Sequence, residues 1–389
     1  MPVLSGLDLY RSEFHKKFRG CRIGLLSNQA SVTADLIHAR DVIKEVSKGD
    51  LRALFGPQHG YAGEEQDNMI ETGHGVDKDL RIPVFSLYSS SREPSADMME
   101  LIDVLLVDMQ DVGTRVYTFS STMLNCMRAA KRYGKRIVIL DRPNPLGGEA
   151  MEGNLLATEL YSFVGPYRMP MRHGITMGEL ALMFNKELKV WCDLSVIMME
   201  GWQRSMFWEE TGLPWAVPSP NMPIPESAYV YPGQVIWEGT NISEGRGTCR
   251  PFETFGAPYL DTSAIKKKIH EEFLKGCILR EVSFKPTFNK WQGEICKGFM
   301  IHITDRALFR SYDTAIAMLR AVIDTHKDCF EWKNPPYEYE YEKLPIDLIL
   351  GNHDLRVAIQ EGRDIYDIRE CWLKGYEEFK ELRRPYLLY

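Results

Sequence analysis

The sequence predicts an α/β protein whose first half contains a parallel β-sheet with helices on both faces. Two observations support this prediction: short apolar runs alternate with helix-like stretches, and polar residues follow each apolar run. Short runs that are apolar throughout are typical of strands buried on both faces, which is the arrangement in parallel sheets. We therefore expect a sheet whose strands are joined by crossover helices.

The predicted elements justify this fold one after another along the chain. In the first part, strands are predicted at 22–26, 53–55, 84–87, 103–108 and 136–140, and helices at 34–46 and 122–133. A shift in composition near residue 165 suggests a domain of residues 1–165 and a second, smaller α/β domain of residues 166–389. In the second domain, residues 214–258 are rich in proline and predicted to form cleft loops. Further elements are predicted there at 264–274, 298–303, 312–325, 355–362 and 371–382.

Charge and cysteine content exclude several classes of function. The 389 residues include 47 Lys and Arg against 54 Asp and Glu, which gives a net charge of -7. This balance argues against broad binding to nucleic-acid backbones. The eight cysteines are scattered without a CxxC pair, as expected for reduced thiols in a cytoplasmic protein. We find no apolar run of membrane-spanning length and no secretory signal, so we expect no membrane span and a cytoplasmic location.

Common cofactor and nucleophile motifs are absent from the sequence. It contains no GxGxxG, no GxxxxGK[ST], no GxSxG and no HExxH. Nucleotide binding, a serine-hydrolase elbow and a zinc-protease site are therefore not predicted, and we expect no cofactor. His59 and His74 flank an acidic loop, where solvated charge is favoured over a bound divalent metal.

Four polar clusters follow predicted strands or fall in the cleft loops, at 56–65, 108–117, 141–145 and 238–253. The first three lie where the carboxyl ends of parallel strands meet, which is the usual ligand crevice of such sheets. Each of these three also has a simpler interpretation: an ordinary surface loop for 56–65, a structural Asp–Arg pair for 108–117, and a loop made rigid by prolines for 141–145. The fourth cluster places several Glu and two Arg among glycines, which favours a site for an anionic substrate over a solvated loop.

The motifs in these clusters resemble a known family. The strings SNQA, GPQHG, DVLLVDMQDVGTRVYT, DRPNPLGG, PSPNMP and EGTNISEGRGTCRPFE, in this order, are similar to those of the exo-β-N-acetylmuramidases of peptidoglycan turnover. That family was first catalogued as a domain of unknown function, and the resemblance runs from about residue 20 to 350. It implies a Rossmann-like domain joined to a smaller α/β domain, with the active site between them. The implied reaction releases a terminal N-acetylmuramic acid residue from the non-reducing end of peptidoglycan fragments.

The catalytic candidates follow from this resemblance and from one departure. Family members commonly carry a glutamate where this chain has Gln58, and an amide cannot act as the acid or base of a glycosidase. We therefore expect another carboxyl group to protonate the leaving oxygen, while the substrate's own acetamido carbonyl acts as nucleophile. Asp111 and Gln58 would orient the substrate, and His59 would tune the acid. The candidate catalytic residues are Glu65, Glu64, Glu244, Asp111, His59 and Gln58.

Substrate contacts are predicted from the same clusters. Muramic acid carries a lactyl carboxylate, and the planar fork of an arginine matches a carboxylate. The candidate binding residues are Arg115, Arg246 and Arg250 for the carboxylate, and Tyr117, Asp141, Arg142, Asn144, Asn221, Tyr231 and Asn241 for the sugar. The expected partner is a peptidoglycan-derived saccharide or muropeptide, without nucleic acid. Two alternatives stay open: a hydrolase of another anionic amino-sugar glycoside, and a muropeptide-binding protein that has lost catalysis at Gln58.

Overall fold

A seven-stranded sheet forms the centre of the first half of the protein. The structure, a computed structural model, describes residues 2–89, 91–373 and 375–389. The strands lie in the order β3-β4-β2-β1-β5-β6-β7, and all neighbouring pairs are parallel except β3 with β4. Their bounds are Ile23–Ser27 (β1), Leu51–Gly56 (β2), Gly75–Val76 (β3), Pro83–Ser86 (β4), Val104–Asp108 (β5), Arg136–Leu140 (β6) and Asp193–Ile197 (β7). The predicted mostly parallel sheet is confirmed.

Helices cover both faces of this sheet, as its apolar strands require. Along β5 the side chains alternate, so that Leu106 packs in a cluster with helices α1 and α2 while Leu105 packs in a cluster with α4 and α5. Both leucines are fully buried, and each burial stabilises the fold by about 2 kcal/mol. The helices of this half are Gly6–Ser12 (α1), Ala39–Ser47 (α2), Ala96–Glu100 (α3), Phe119–Arg132 (α4) and Met177–Glu187 (α5).

The second half packs a smaller antiparallel sheet against helices. This sheet has the order β8-β10-β9, and its strands are Thr254–Ala257 (β8), Cys277–Phe284 (β9) and Cys296–Ile303 (β10). The helices are Pro225–Gln234 (α6), Thr262–Lys266 (α7), Ser311–Thr325 (α8), Pro345–Leu350 (α9), His353–Glu361 (α10), Ile365–Leu373 (α11) and Tyr376–Arg383 (α12). Fully buried apolar residues such as Ile316 in α8 and Phe299 in β10 join one core cluster that reaches into the large sheet.

Several predicted boundaries differ from the observed ones for local reasons. The helix predicted at 34–46 begins at Ala39, because Leu36 has a φ of 62° and the His38 ring caps the helix by accepting from the Arg40 amide. The helix predicted at 264–274 ends at Lys266. The one predicted at 371–382 is divided between α11 and α12, and its residue 374 lies outside the described residues. Both α5 and β7, which complete the large sheet, follow the predicted boundary near residue 165.

None of the helices in the described part of the chain is both long and apolar enough to cross a membrane. Seven cysteines with described side chains carry free thiols. Within the described ranges, no three His, Cys, Asp or Glu side chains are grouped as metal ligands.

Candidate active site

A narrow cavity lies beyond the carboxyl ends of β2 and β5 and is closed by segments of the second half. Its volume is about 30 Å³, which holds a water molecule or two and no sugar ring. Substrate binding therefore requires the walls to move apart. The lining residues are Gln58, His59, Asn68, Val116, Tyr117, Thr118, Phe119, Val164, Ser219, Asn221, Met222, Tyr231, Glu238, Arg246, Phe252, Tyr337 and Glu338.

Gln58, two residues after β2, is held in one orientation by its neighbours. The Thr118 hydroxyl donates to Oε1 of Gln58 at 2.6 Å, which fixes the oxygen side of the amide. Nε2 of Gln58 is consequently directed at Glu338, where it donates to Oε1 at 3.0 Å, and it also lies 3.3 Å from the Tyr88 hydroxyl. Gln58 is only 6% exposed, so this amide acts as a buried donor to a carboxyl group.

Glu338 is a buried carboxyl group that exchanges its proton near neutral pH. Its side chain receives hydrogen bonds on both oxygens, from Gln58 on Oε1 and from the Tyr88 hydroxyl on Oε2 at 2.6 Å. Burial raises the pKa of Glu338 to about 7, although both hydrogen bonds favour the charged form and oppose the rise. Glu338 is 4% exposed and lines the cavity, so it can donate a proton to a bound molecule.

Glu238 is a second carboxylate in the cavity, and its surroundings differ from those of Glu338. It belongs to the 3-10 turn Val235–Gly239 that follows α6, and it is 4% exposed. Its Oε1 accepts from Nη2 of Arg246 at 2.7 Å, and its Oε2 accepts from the Tyr337 hydroxyl at 2.7 Å and from Nδ2 of Asn68 at 3.3 Å. The ion pair with Arg246 makes Glu238 an acceptor in the cavity, next to a carboxyl group that can donate.

Arg246 supplies positive charge to the same cavity. Burial by itself would lower the pKa of this guanidinium, but Glu238 and Glu244 outweigh the burial and hold the pKa above its ordinary value. The side chain lies over the Phe252 ring, with 5.3 Å between the guanidinium carbon and the ring centroid. Among the described residues, Nη1 of Arg246 has no hydrogen-bond partner. A buried donor of this kind can bind an anionic substrate group.

His59 is neutral in the cavity. Its Nδ1 lies 2.8 Å from the backbone oxygen of Glu65, which can only accept, so Nδ1 carries the proton. Burial and the nearby Arg246 lower the pKa of His59 to about 4. The ring therefore contributes a hydrogen-bonding group rather than a charge at neutral pH.

Three of the residues that line the cavity have left-handed backbone conformations. The φ angles are 75° at His59, 64° at Phe252 and 45° at Glu338, although none of these residues is glycine. Such conformations cost free energy and are concentrated at functional sites, where the surrounding structure enforces them. The strain supports a functional interpretation of this cavity.

The structure brings together six of the residues predicted from the sequence. These residues come from four separate segments of the chain, and all of them line the cavity: Gln58, His59, Tyr117, Asn221, Tyr231 and Arg246. Tyr231 packs edge-on against Tyr117 and Phe252, so the two tyrosines form one aromatic wall. The ring of Tyr117 also contacts Phe119, at 4.6 Å between centroids.

The carboxylates expected to act as the acid lie outside this cavity. Glu64 is exposed, and Glu65 contacts His59 through its backbone oxygen and its backbone amide, not through its carboxylate. Glu244 lies behind Arg246, where its carboxylate pairs with that guanidinium at 3.2 Å and with Nζ of Lys290 at 2.9 Å. Burial would raise the pKa of Glu244, but the two cations outweigh the burial and lower it. Glu244 is therefore charged at neutral pH and cannot donate a proton.

Asp111 is buried next to the cavity without lining it. Its Oδ1 accepts from the Gly113 amide at 2.7 Å, and Oδ2 has no hydrogen-bond partner in the part of the chain that the structure describes. Burial raises the pKa of Asp111 to about 7, against the hydrogen bonds from the Gly113 and Val112 amides. Asp111 is thus one layer behind the residues that a substrate would touch.

Arg115 holds the backbone together instead of facing the cavity. Its guanidinium donates to the carbonyl oxygens of Asn154, Met169 and Ile349, and burial lowers its pKa to about 10. These bonds use the fork that was expected to bind a substrate carboxylate. Arg250 is also away from the cavity, in an ion pair with Glu253 at 3.1 Å.

The cluster at 141–145 stabilises the ends of the strands. Arg142 forms a buried ion pair with Asp108 at the end of β5, with Nη2 2.8 Å from Oδ2. Asp141 caps α5 by accepting from the Thr176 hydroxyl and the Gly178 amide at 2.7 Å each. Asn144 donates to a backbone oxygen at 3.0 Å. These three side chains thus bind other parts of the protein, and none of them lines the cavity.

Two side chains central to the cavity were missed by the sequence analysis. Glu238 stands at the start of the motif at 238–253, and that motif was noted for its several glutamates without singling this one out. Glu338 lies in the segment Pro335–Glu340, outside all four clusters. The only local signal is that this acidic and aromatic segment matches neither helical nor strand periodicity. Asn241, a predicted sugar contact, lies outside the cavity in a neighbouring groove.

Comparison with known proteins gives a consistent assignment. The family described as exo-beta-N-acetylmuramidase NamZ matches the chain in two parts, its N-terminal part at residues 23–226 and its C-terminal part at residues 229–389. A curated relative, the peptidoglycan beta-N-acetylmuramidase NamZ of Bacillus subtilis (strain 168), is 40% identical over 387 residues, which cover 100% of this chain and 91% of the relative.

Two solved structures share the fold over the whole chain. Both are crystal structures of DUF1343 family proteins from Bacteroides fragilis NCTC 9343. The first has a TM-score of 0.89 and 32% sequence identity, and the second has a TM-score of 0.77 and 28% identity. Each match covers 100% of this chain and 99% of the solved chain.

Proposed function

The chain belongs to the exo-β-N-acetylmuramidase family NamZ, and we propose that it releases the terminal N-acetylmuramic acid residue of peptidoglycan fragments with Glu338 as proton donor. Family membership makes it a glycoside hydrolase. The observation that carries the assignment of Glu338 is its position: a buried carboxyl group with a raised pKa lies in hydrogen-bond contact with Gln58. The amide of Gln58 cannot supply a proton, but the carboxyl group directly opposite it can.

Bond cleavage requires a proton on the departing glycosidic oxygen. A carboxyl group with a pKa near 7 is protonated in about half of the molecules at neutral pH and gives the proton up readily. The closed, narrow cavity keeps bulk water away from this group. Tyr88 and Gln58 then stabilise the carboxylate that remains after the transfer, since both donate to it.

The second carboxylate suits a substrate-assisted reaction. In that reaction the acetamido oxygen of the substrate attacks C1 while the bond from C1 to the leaving oxygen breaks and Glu338 protonates that oxygen. Glu238 would accept the N–H of the acetamido group and orient its carbonyl toward C1. Water then adds to C1, opens the cyclic intermediate and returns a proton to Glu338. The products are N-acetylmuramic acid and a chain shorter by one residue.

The lactyl carboxylate of muramic acid is assigned to Arg246. The Nη1 atom of this residue is buried without a hydrogen-bond partner among the described residues, and it would bind the lactyl carboxylate, the anionic group by which muramic acid differs from glucosamine. The existing pair with Glu238 keeps the guanidinium in place, so its free edge is preorganised for a second carboxylate. The aromatic wall of Tyr117 and Tyr231 would pack against the sugar ring.

The test compares two substrates in the variant Glu338→Gln. With a natural disaccharide, whose leaving oxygen needs a proton, we expect kcat to fall by about 10²- to 10⁴-fold. With an aryl N-acetylmuramide, whose leaving group departs without a proton, most of the activity should remain. Glu238→Gln should reduce hydrolysis of both substrates. The variant Glu65→Gln, whose half-buried side chain lies outside the cavity, is the matched control and should behave as the wild type.

The same experiment separates the alternatives. Equal losses on both substrates would remove Glu338 as proton donor. Equal turnover of N-acetylmuramides and N-acetylglucosaminides by the wild type would favour a hydrolase of another amino-sugar glycoside. Binding of muropeptide without product would favour a binding protein.

A further inference from the structure

A second groove lies beside the catalytic cavity and is lined by aromatic and amide side chains. It has a volume of about 440 Å³, and its walls include Asn241, Asn289, Trp291, Trp332, Lys333 and Asn334. We call it the tryptophan groove. None of these residues belongs to the catalytic cavity, and the groove is more than ten times as large as that cavity.

The tryptophan groove and the catalytic cavity are lined by neighbouring residues of the same segments. Thr240, in the groove, follows the catalytic Glu238 by two residues. The Lys333 ammonium lies 6.0 Å from the centroid of the Tyr337 ring, which lines the cavity and donates to Glu238. The groove is therefore next to the cavity, within reach of a saccharide chain whose terminal residue is bound there.

A further connection runs through the loop after β2. Nδ2 of Asn289 donates to Asp67 at 2.7 Å, and the adjacent Asn68 lines the catalytic cavity. The tryptophan groove is thus tied to the same loop that carries a wall of the cavity.

The two tryptophans in the groove are fixed in orientation by their ring nitrogens. Nε1 of Trp291 donates to the backbone oxygen of Asn241 at 2.6 Å, and Nε1 of Trp332 donates to Gln360 at 3.0 Å. Both rings are partly exposed, so their faces remain available while their polar edges are satisfied. Rigid aromatic faces suit the apolar C–H face of a sugar ring.

The charge of the groove also suits an anionic saccharide. In residues 2–89, 91–373 and 375–389, no carboxylate pairs with the ammonium of Lys333, whereas Lys290 is paired with Glu244. Glu331 is exposed at the rim. An unpaired cation in the groove would attract the lactyl carboxylate of a muramic acid residue further along the chain.

We propose that the tryptophan groove binds the part of an anionic amino-sugar chain that lies beyond the cleaved bond. This inference rests on the proposed function, because an exo-acting enzyme holds only the terminal residue in its catalytic cavity. The remaining residues of the chain must then lie outside the cavity, and the groove is the adjoining surface that offers them stacking faces and a free cation.

The experiment separates binding along the chain from catalysis at its end. The variants are Trp332→Ala and Lys333→Ala, with Trp191→Ala as control, since Trp191 is 56% exposed just before β7 at the opposite edge of the sheet. Calorimetry measures binding of a muramic-acid-containing tetrasaccharide in the Glu338→Gln background. Turnover of an aryl N-acetylmuramide, which is too short to reach the groove, is measured with Glu338 in place.

We expect both groove variants to weaken tetrasaccharide binding by about tenfold while turnover of the aryl muramide stays unchanged. Unchanged tetrasaccharide binding in both variants would overturn the proposal, and so would an equal effect of Trp191→Ala. Trp332 also packs against Phe330, so its loss could affect folding. If Trp332→Ala does not fold, the binding measured for Lys333→Ala tests the proposal. If the wild type does not turn over the muramide, the proposed function fails, whereas the binding measurement still decides on the groove.

Discussion

Replacing Gln58 with glutamate would place two carboxyl groups in direct contact at the centre of the active site. In the wild type, Nε2 of Gln58 lies 3.0 Å from Oε1 of Glu338, so the new carboxyl oxygen would take the position of that nitrogen. Two charges at this distance repel by about 5.5 kcal/mol at an effective dielectric constant of about 20. That repulsion corresponds to a rise of about 4 in the pKa of the second proton of the pair. The two groups would therefore share one proton over a wide pH range.

The assay is the pH profile of kcat/KM with a natural disaccharide. The proton donor must be protonated, so in the wild type activity should fall as the pH rises through the Glu338 pKa of about 7. In Gln58→Glu the shared proton is held more tightly, and we expect the alkaline limb to move to at least about pH 9.

Gln58→Met is the uncharged control for this prediction. It removes one hydrogen bond to the charged form of Glu338 without adding a carboxyl group, so the limb should move up by less than about one pH unit. An alkaline limb that stays at the same pH in Gln58→Glu would refute the reasoning, because the titrating group would then not be Glu338.

Three further substitutions test other parts of the structure. Arg246→Lys keeps the positive charge next to Glu238 but loses the planar fork assigned to the lactyl carboxylate, so kcat/KM for N-acetylmuramides should fall about 10- to 100-fold and should fall less for N-acetylglucosaminides. Parallel losses on both sugars would contradict this. Arg142→Met leaves Asp108 buried without its partner, so the free energy of unfolding should fall by about 3–5 kcal/mol in urea denaturation. A loss below about 1 kcal/mol would count against this prediction. Thr118→Val removes the donor that orients the Gln58 amide, so steady-state kinetics should show kcat lowered by about 3- to 10-fold and KM unchanged. A change in KM alone would indicate a role in substrate binding instead.

The large sheet could be predicted from the sequence because its strands are apolar throughout. Both β1 and β5 are buried at every position, and their burial on two faces erases the alternation that an exposed strand would show. The start of α2 was misplaced by five residues, since it depends on a left-handed turn at Leu36 and on a histidine cap. Neither the turn nor the cap produces a periodic pattern of apolar residues in the sequence.

The active site could be predicted only where its residues lie in compact motifs. Gln58 and Arg246 stand in such motifs and do line the cavity. Glu64 and Glu65 were expected to supply the proton because they lie in the same motif as Gln58, but Glu64 is exposed and Glu65 reaches the cavity residues only through backbone hydrogen bonds with His59. Glu338 reaches Gln58 from 280 residues further along the chain, and no local pattern reveals a contact of that kind.

The same distance along the chain determines when the protein becomes active. The first half of the chain contains Gln58 without the carboxyl group that it positions. The ribosome must add the following 280 residues before Glu338 exists, and α10 to α12 are translated later still. A truncated chain that keeps only the first half would therefore lack Glu338 and would also lose the part of the shared core that the second half supplies, so we expect it to be inactive.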